Sequence, residues 1–268
     1  MALVPESEIV AYENDGVICL RRVIDLQWLG ALRIATDEAM AAPGPHAEVY
    51  GDKEKSGFFG DLDVWTRTSG FQSFVLDSPA AEIAADVMRS SKATLLYDQL
   101  LVKEQGSPEK TPWHQDQPYW AVSGGQVCSI WVPMDPVNEV SSPEYIRGSH
   151  SWGEFNPQHF DDHSPYEGTG LPALPDIDAA REAYDITQFD MALGDCLIFQ
   201  AMIVHGAPGN ASLTHRRRGY ATRWLGDDAR YCERSGEVAI PSFPTDFKDG
   251  DEYSGEMFPT VYPGSSNE

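Results

Sequence analysis

The chain has 268 residues, 41% of them hydrophobic and 23% charged, with 42 Asp plus Glu against 19 Lys plus Arg and a formal net charge of −23. That composition excludes disorder along the whole chain, and the length suits one large β-rich domain. The acidity argues against nucleic acid and anionic membrane surfaces as partners. No apolar run approaches the roughly 18 residues of a membrane-spanning helix. The opening MALVPESEIVAYENDG has no basic segment ahead of an apolar one, so a cytoplasmic protein without a signal peptide is expected. Cys19, Cys128, Cys196 and Cys232 form no C-x-x-C pair, which points to reduced thiols rather than a zinc site or disulfide scaffold.

Along the chain, Asp15-Gly16 predicts a turn before an apolar strand in VICLRRVI. Asp25 then caps a helix whose apolar positions Trp28, Leu32, Ala35 and Ala39 recur at helical spacing. Ser78 and Pro79 read as the N-cap and first position of another helix, with Ile83, Val87 and Met88 on one face. From about residue 93 the texture changes to short apolar runs: ATLLYDQLLV, QVCSIWVPM, DCLIFQAMIV and GYATRWL. Such runs separated by turns predict an antiparallel sandwich or barrel. The proline- and glycine-bearing segment 151–190 is a candidate lid or binding loop. Irregular structure is expected after about residue 233.

The sharpest motif is His114-Gln115-Asp116 in TPWHQDQPYW. On a strand, His114 and Asp116 share a face and Gln115 takes the other. One more histidine would complete the two-histidine, one-carboxylate triad that holds non-haem iron(II) and leaves positions open. A second triplet, His159-Phe160-Asp161 with His163 nearby, lies in the polar loop, where no strand fixes its geometry; these three polar residues are read as solvated. His205, at the end of the apolar run after Gly194-Asp195, is the candidate third ligand. Arg216 lies eleven residues on, at the start of a further strand, and is placed to grip a carboxylate in bidentate fashion. Alternation gives Arg218 the face of Arg216, and Arg217 the opposite one. His150 and the indoles Trp65, Trp120 and Trp224 read first as structural, and Lys103 as either a site residue or a solvated turn lysine.

Together, LLVKEQG…TPWHQD at 100–116, IWVPMD at 130–135, YIRGSHSWG at 145–153 and GDCLIF…HGAPGN…RRR at 194–218 resemble the phytanoyl-CoA dioxygenase-like family of iron(II)/2-oxoglutarate oxygenases. The resemblance implies a mainly β chain with a double-stranded β-helix (jelly-roll, cupin-like) core and flanking α-helices. One domain would span 1–268: an N-terminal support 1–92, the core at about 93–232 and an irregular segment 233–268. It implies that His114, Asp116 and His205 bind Fe(II), that Arg216 binds the co-substrate 2-oxoglutarate, and that Gln99 and Trp131 line its pocket. The expected reaction uses O2 and releases succinate and CO2, hydroxylating a small-molecule metabolite or natural-product intermediate. The protein would act as a monomer or homodimer.

Two departures stand out. Ala207 occupies a position where the family commonly has serine, and VNEVSSPEY replaces the usual Asn-Gly ahead of the GSH motif. Three rivals remain at this stage. A halogenase would need the carboxylate ligand to be absent, and Asp116 is present. A cupin-type metalloenzyme without 2-oxoglutarate would not need Arg216, and a non-catalytic jelly-roll binding module would not need the triad.

Overall fold

The positions of apolar residues and turn formers account for most of the secondary structure in the computed structural model, which describes residues 3–50, 57–160, 162–243 and 245–264. Helix α1 (Glu6–Asp15) stops where Gly16 turns left-handed (φ 79°) and donates its N–H to the Tyr12 carbonyl. Strand β1 (Val17–Leu20) follows, shorter than the apolar run suggests. Helix α2 (Leu26–Ala41) is capped as expected: the Asp25 carboxylate accepts the Gln27 N–H at 2.9 Å, and Leu29, Leu32, Ala35 and Ala39 are buried. Strands β2 (Glu48–Tyr50) and β3 (Phe58–Leu62) precede α3 (Ser69–Asp77) and α4 (Ala80–Val87). The start of α4 falls one residue later than read from the sequence, because Pro79 itself is the N-cap.

The expected strands then appear. They are β4 (Ala93–Lys103), β5 (Thr111–His114), β6 (Val122–Ser123), β7 (Val127–Pro133), β8 (Glu144–Ile146), β9 (Ile186–Thr187), β10 (Cys196–Gln200), β11 (His205–Ala207), β12 (Arg217–Leu225), β13 (Arg230–Tyr231) and β14 (Thr260–Tyr262). The larger sheet runs β1-β10-β7-β12-β4-β3-β2, with β14 also on β4; the smaller runs β5-β11-β8-β9. The pairings within both are antiparallel. The fold is a double-stranded β-helix, mainly β, with helices packed outside.

The larger sheet is covered on both faces, which is why its central strands read as continuous apolar runs rather than alternating ones. Leu100, Val102, Ile130, Val132, Ile198 and Tyr220 face α1–α4 and share one core with Leu32, Phe71, Phe74 and Ile83. Trp131, Leu197, Phe199 and Ala221 face the smaller sheet and share another with Tyr145. The site lies on this second, inner face.

The C-terminal segment corrects the expectation of mere irregularity. It has little regular structure, yet Tyr253 and Phe258 are buried, β14 pairs with β4, and Ala121 donates its N–H to the Ile240 carbonyl at 2.8 Å.

Candidate metal centre and co-substrate pocket

Strand pairing assembles the centre. His205 on β11 is the cross-strand partner of His114 at the end of β5, and their ring centroids lie 4.2 Å apart. Asp116 stands just beyond β5 in a helical turn rather than on the strand, with its N–H on the Ala201 carbonyl at 2.9 Å. Gln115 faces away, as alternation requires. Its amide holds the Gly153 and Met202 carbonyls and the Phe155 N–H, tying the 153–155 segment to the strand.

One donor atom from each of His114, Asp116 and His205 lies within 4.8 Å of the others, and all three residues are buried. Asp116 Oδ1 is 3.4 Å from His114 Nε2 and 3.8 Å from His205 Nε2. The tautomers are fixed by what lies behind each ring. His114 Nδ1 is 2.8 Å from the Pro112 carbonyl and His205 Nδ1 3.1 Å from the Ile203 carbonyl. A carbonyl can only accept, so Nδ1 carries the proton and the Nε2 lone pair faces the shared space. Burial, helped by His114, pushes His205 down to about 3, which keeps its imidazole neutral and able to ligate. Burial alone would raise the Asp116 carboxyl, but His205, His114 and Arg223 outweigh it and hold the group below the ordinary carboxylate range. Its outer oxygen accepts the Ser129 hydroxyl at 3.0 Å and lies 3.9 Å from Arg223 Nε. Two imidazole nitrogens, one carboxylate oxygen and room for further ligands fit a non-haem iron(II) centre.

The centre opens on a cavity of about 1250 Å³. Gln99 and Trp131 both line it, where the sequence reading puts them. The arginine reading needs correction. Residues 216 and 218 do share a face, but it is the outer one. Arg216 is absent from the cavity wall and pairs with Glu104 at 2.8 Å and Asp37 at 3.4 Å. Arg218 holds Asp135 with two bonds of 2.9 and 2.7 Å. Arg217, one residue later than the spacing suggested, is on the wall with Gly219, Ala221 and Arg223. The register decides this: Arg217 lies opposite Lys103 on β4, and Gly219 lies under Trp131, where an added Cβ would meet the indole at 2.4 Å.

Lys103 and Arg217 are 2% and 7% exposed, and neither has a carboxylate within ion-pair distance among the described residues. Lys103 donates to the Pro208 carbonyl at 3.0 Å and lies 4.4 Å over the Phe58 ring. Arg217 donates to the Ser141 and Pro208 carbonyls. The divergent VNEVSSPEY segment therefore has a use: Asn138 caps a short turn whose Ser141 carbonyl orients Arg217. Opposite Ala207, where a serine was missed, Thr111 lines the cavity and accepts from Lys103 at 3.3 Å. Burial and then Arg217 push Lys103 down to about 6, while burial brings Arg217 to about 10.

The sequence reading missed Arg223, which is 4% exposed, donates to Gln99 Oε1 at 3.0 Å and has an Nε with no hydrogen-bond partner. Strand alternation from a correctly phased Arg217 would have found it. The polar-loop triplet is also not simply solvated: His159 and Phe160 line the cavity, and His159 pairs with Glu237 at 3.4 Å. His163 is exposed, and Asp161 lies outside the described residues. Trp120 lines the cavity, whereas Trp65 and Trp224 are packed into the helix-side core. His150 hydrogen-bonds the Glu13 carbonyl at 3.3 Å, away from the centre.

A jelly roll with a buried His-Asp-His centre and a cationic pair in one cavity defines a class, the cupin-like metalloenzymes. Residues 12–219 match the sequence profile of the family described as phytanoyl-CoA dioxygenase (PhyH), and the chain belongs to that family. No curated protein matches the sequence. Among solved structures, the chain is similar to the carbocyclase SnoK of nogalamycin biosynthesis, a non-heme α-ketoglutarate-dependent enzyme, with a TM-score of 0.79, 21% identity and 97% of each chain covered. It is also similar to the epimerase SnoN in complex with Fe3+, α-ketoglutarate and nogalamycin RO (TM-score 0.75, 18% identity, 96% of this chain and 98% of that one). A third is EctD from S. alaskensis with 2-oxoglutarate and 5-hydroxyectoine (0.66, 16%, 83% and 76%). No helix among the described residues is long and apolar enough to cross a membrane.

Proposed function

We propose that this protein is an iron(II)- and 2-oxoglutarate-dependent oxygenase that oxidises a C–H bond of a small organic molecule, with hydroxylation as its outcome. The observation that carries the co-substrate is the Lys103–Arg217 pair. A buried guanidinium beside a buried amine, with no carboxylate within ion-pair distance among the described residues, is costly in an empty protein, and the two line the same cavity as the His-Asp-His centre. A dicarboxylate bound at the centre by one end answers them with the other. Arg217 takes the part that the family resemblance gave to Arg216. Thr111 offers the hydroxyl that Ala207 does not, and Gln99 and Trp131 form the wall between.

His114, Asp116 and His205 would hold the metal. When bound, ferrous iron supplies the activation of O2 that is coupled to decarboxylation of 2-oxoglutarate. The chain's own part is positional. Pro112 and Ile203 carbonyls aim the two imidazoles, and Ser129 and Arg223 hold the outer oxygen of Asp116 so that the inner one faces the histidines. Trp131, Phe199 and Tyr145 exclude water from the inner face. Because Asp116 is buried and in place, the vacant position that a halogenase needs is not available, which favours hydroxylation. The similar structures, a carbocyclase and an epimerase among them, support the same cofactor chemistry at 16–21% identity.

A cupin using no 2-oxoglutarate has no need of the cationic pair, and a binding module has no need of the centre. The test is succinate release by the purified protein with iron(II), O2 and 2-oxoglutarate. Bound iron with no succinate release, or turnover that does not depend on 2-oxoglutarate, would overturn the reading.

A further inference from the structure

The Lys103–Arg217 end accounts for only part of the cavity. Around the metal centre the wall is a chain of aromatic rings. Phe160 meets the His114 ring edge-on at 5.0 Å and Tyr119 at 5.8 Å. Tyr119 meets Tyr166 at 5.3 Å, and Tyr50 reaches Phe160 at 6.4 Å. On the facing side Tyr97 and Trp120 pack at 5.5 Å, with the Arg223 guanidinium 4.9 Å over Tyr97.

The Tyr119 hydroxyl is turned into the protein. It donates to the Gln158 carbonyl at 2.8 Å and accepts the Gln158 N–H at 3.0 Å. Ring faces and ring edges are thus offered to a ligand, beside hydrogen-bonding groups such as Gln99, Gln158 and Ser242. The compartment is also large. Drug-sized ligands fill roughly 300–1,000 Å³, and this cavity measures about 1250 Å³. A small polar metabolite would leave most of it unfilled. A flexible acyl chain would fill it but lose rotational freedom on binding and gain no ring stacking.

We propose that the primary substrate is a flat molecule of several fused rings, and that Phe160 is the residue that selects for it. This rests on the oxygenase reading above and adds the substrate class. Phe160 holds that position because the two residues before it are anchored. Gln158 is fixed by Tyr119 and by the Trp113 carbonyl, and His159 pairs with Glu237 of the C-terminal segment.

The test uses the whole protein, loaded anaerobically with iron(II) and 2-oxoglutarate. The probes are 2-hydroxyanthraquinone, whose hydroxyl is too far from its carbonyls to chelate iron, and decan-1-ol, which is apolar but flexible. Binding is followed by calorimetry and by perturbation of the metal-to-ligand charge-transfer band. The ring probe is expected to bind at least about tenfold tighter than the alcohol. Phe160→Ala should weaken it by at least about tenfold and Phe160→Trp should retain it, with 2-oxoglutarate affinity in both variants within about twofold of wild type. A normal charge-transfer band with no ring binding, with equal binding of the alcohol, or with an unaffected Phe160→Ala overturns this inference alone. Failure of the band to form refutes the co-substrate reading and this inference with it.

Discussion

Replacing Arg217 by Ala should cripple 2-oxoglutarate binding, while replacing Arg216 should not. Arg217 is buried beside Lys103, and burial leaves it at about 10, still charged at neutral pH. Its guanidinium would meet the far carboxylate with charge-assisted hydrogen bonds worth about 1.5–3 kcal/mol each. Lys103 remains in the variant and recovers part of that. At about 1.4 kcal/mol per tenfold, the apparent Kd should rise by roughly 10- to 100-fold. Iron affinity should stay the same, because Arg217 is not a ligand. Arg217→Lys should restore only part of the loss, since an ammonium lacks the planar fork. Arg216 is the control: its partners Glu104 and Asp37 are on the outer face, and such pairs contribute about 0–1 kcal/mol to stability. Arg216→Ala should bind 2-oxoglutarate as wild type does. The assay is an anaerobic titration with iron(II), read at the charge-transfer band. If Arg216→Ala weakens binding and Arg217→Ala does not, the assignment of strand faces is wrong. If neither matters, the co-substrate reading fails.

Other outcomes follow from the same geometry. His205→Ala should remove most bound iron and all turnover with the fold intact by circular dichroism, whereas His163→Ala should keep both; retention of iron by His205→Ala would refute the centre. Lys103 sits at about 6, so at pH 7.5 the ligand-free protein holds it largely neutral. Binding a carboxylate should then draw in up to about one proton, an uptake that fades as pH falls through about 6 and is nearly gone by about 5. Calorimetry in buffers of different ionisation enthalpy measures this, and zero uptake at pH 7.5 would contradict it. Burial raises Asp98 to about 8 against its bonds from Tyr220 and the Trp65 N–H. A carboxyl raised above its unfolded value binds its proton more tightly when folded, so its contribution to stability is lost as pH climbs from about 4 to 8. Asp98→Asn has no such loss, and its melting temperature relative to wild type should therefore be higher at pH 8 than at pH 5; an equal difference at both would refute the shift.

The metal centre was legible because its residues lie on or beside strands whose apolar runs mark them. His114 closes TPWH and His205 follows CLIFQAMIV, so both could be placed before their pairing was known. Even there, the sequence misjudged Asp116, which has already left β5. The arginine was legible as a cluster but not as a residue. HRRRGY gives the alternation of Arg216, Arg217 and Arg218, yet the inner face depends on the cross-strand register with Lys103, which no local pattern carries. A one-residue difference in the 208–216 turn moves the inward side chain from position 216 to 217. Phe160 was passed over for a different reason. Its neighbours are polar and its segment has no period, so nothing short of tertiary structure brings its ring onto His114.

That contrast bears on how specificity is divided within the molecule. The centre and the cationic pair are held by sheet pairings, and shifting any one strand by a residue would turn its whole inner face outward. The register that places them cannot slip without losing the fold. The aromatic wall is supplied mainly from outside the sheets, by Tyr119 and Trp120 in the turn after Asp116 and by Phe160 and Tyr166, in segments of the kind that tolerate substitution. Structures with this fold at 16–21% identity bear names as different as carbocyclase and epimerase. A common fold cannot by itself account for that spread; the placement of the reacting carbon in the cavity can. In this chain that placement is controlled by Phe160, Tyr119 and Tyr166, so changes of outcome or substrate should map to these loops before they map to the ligands.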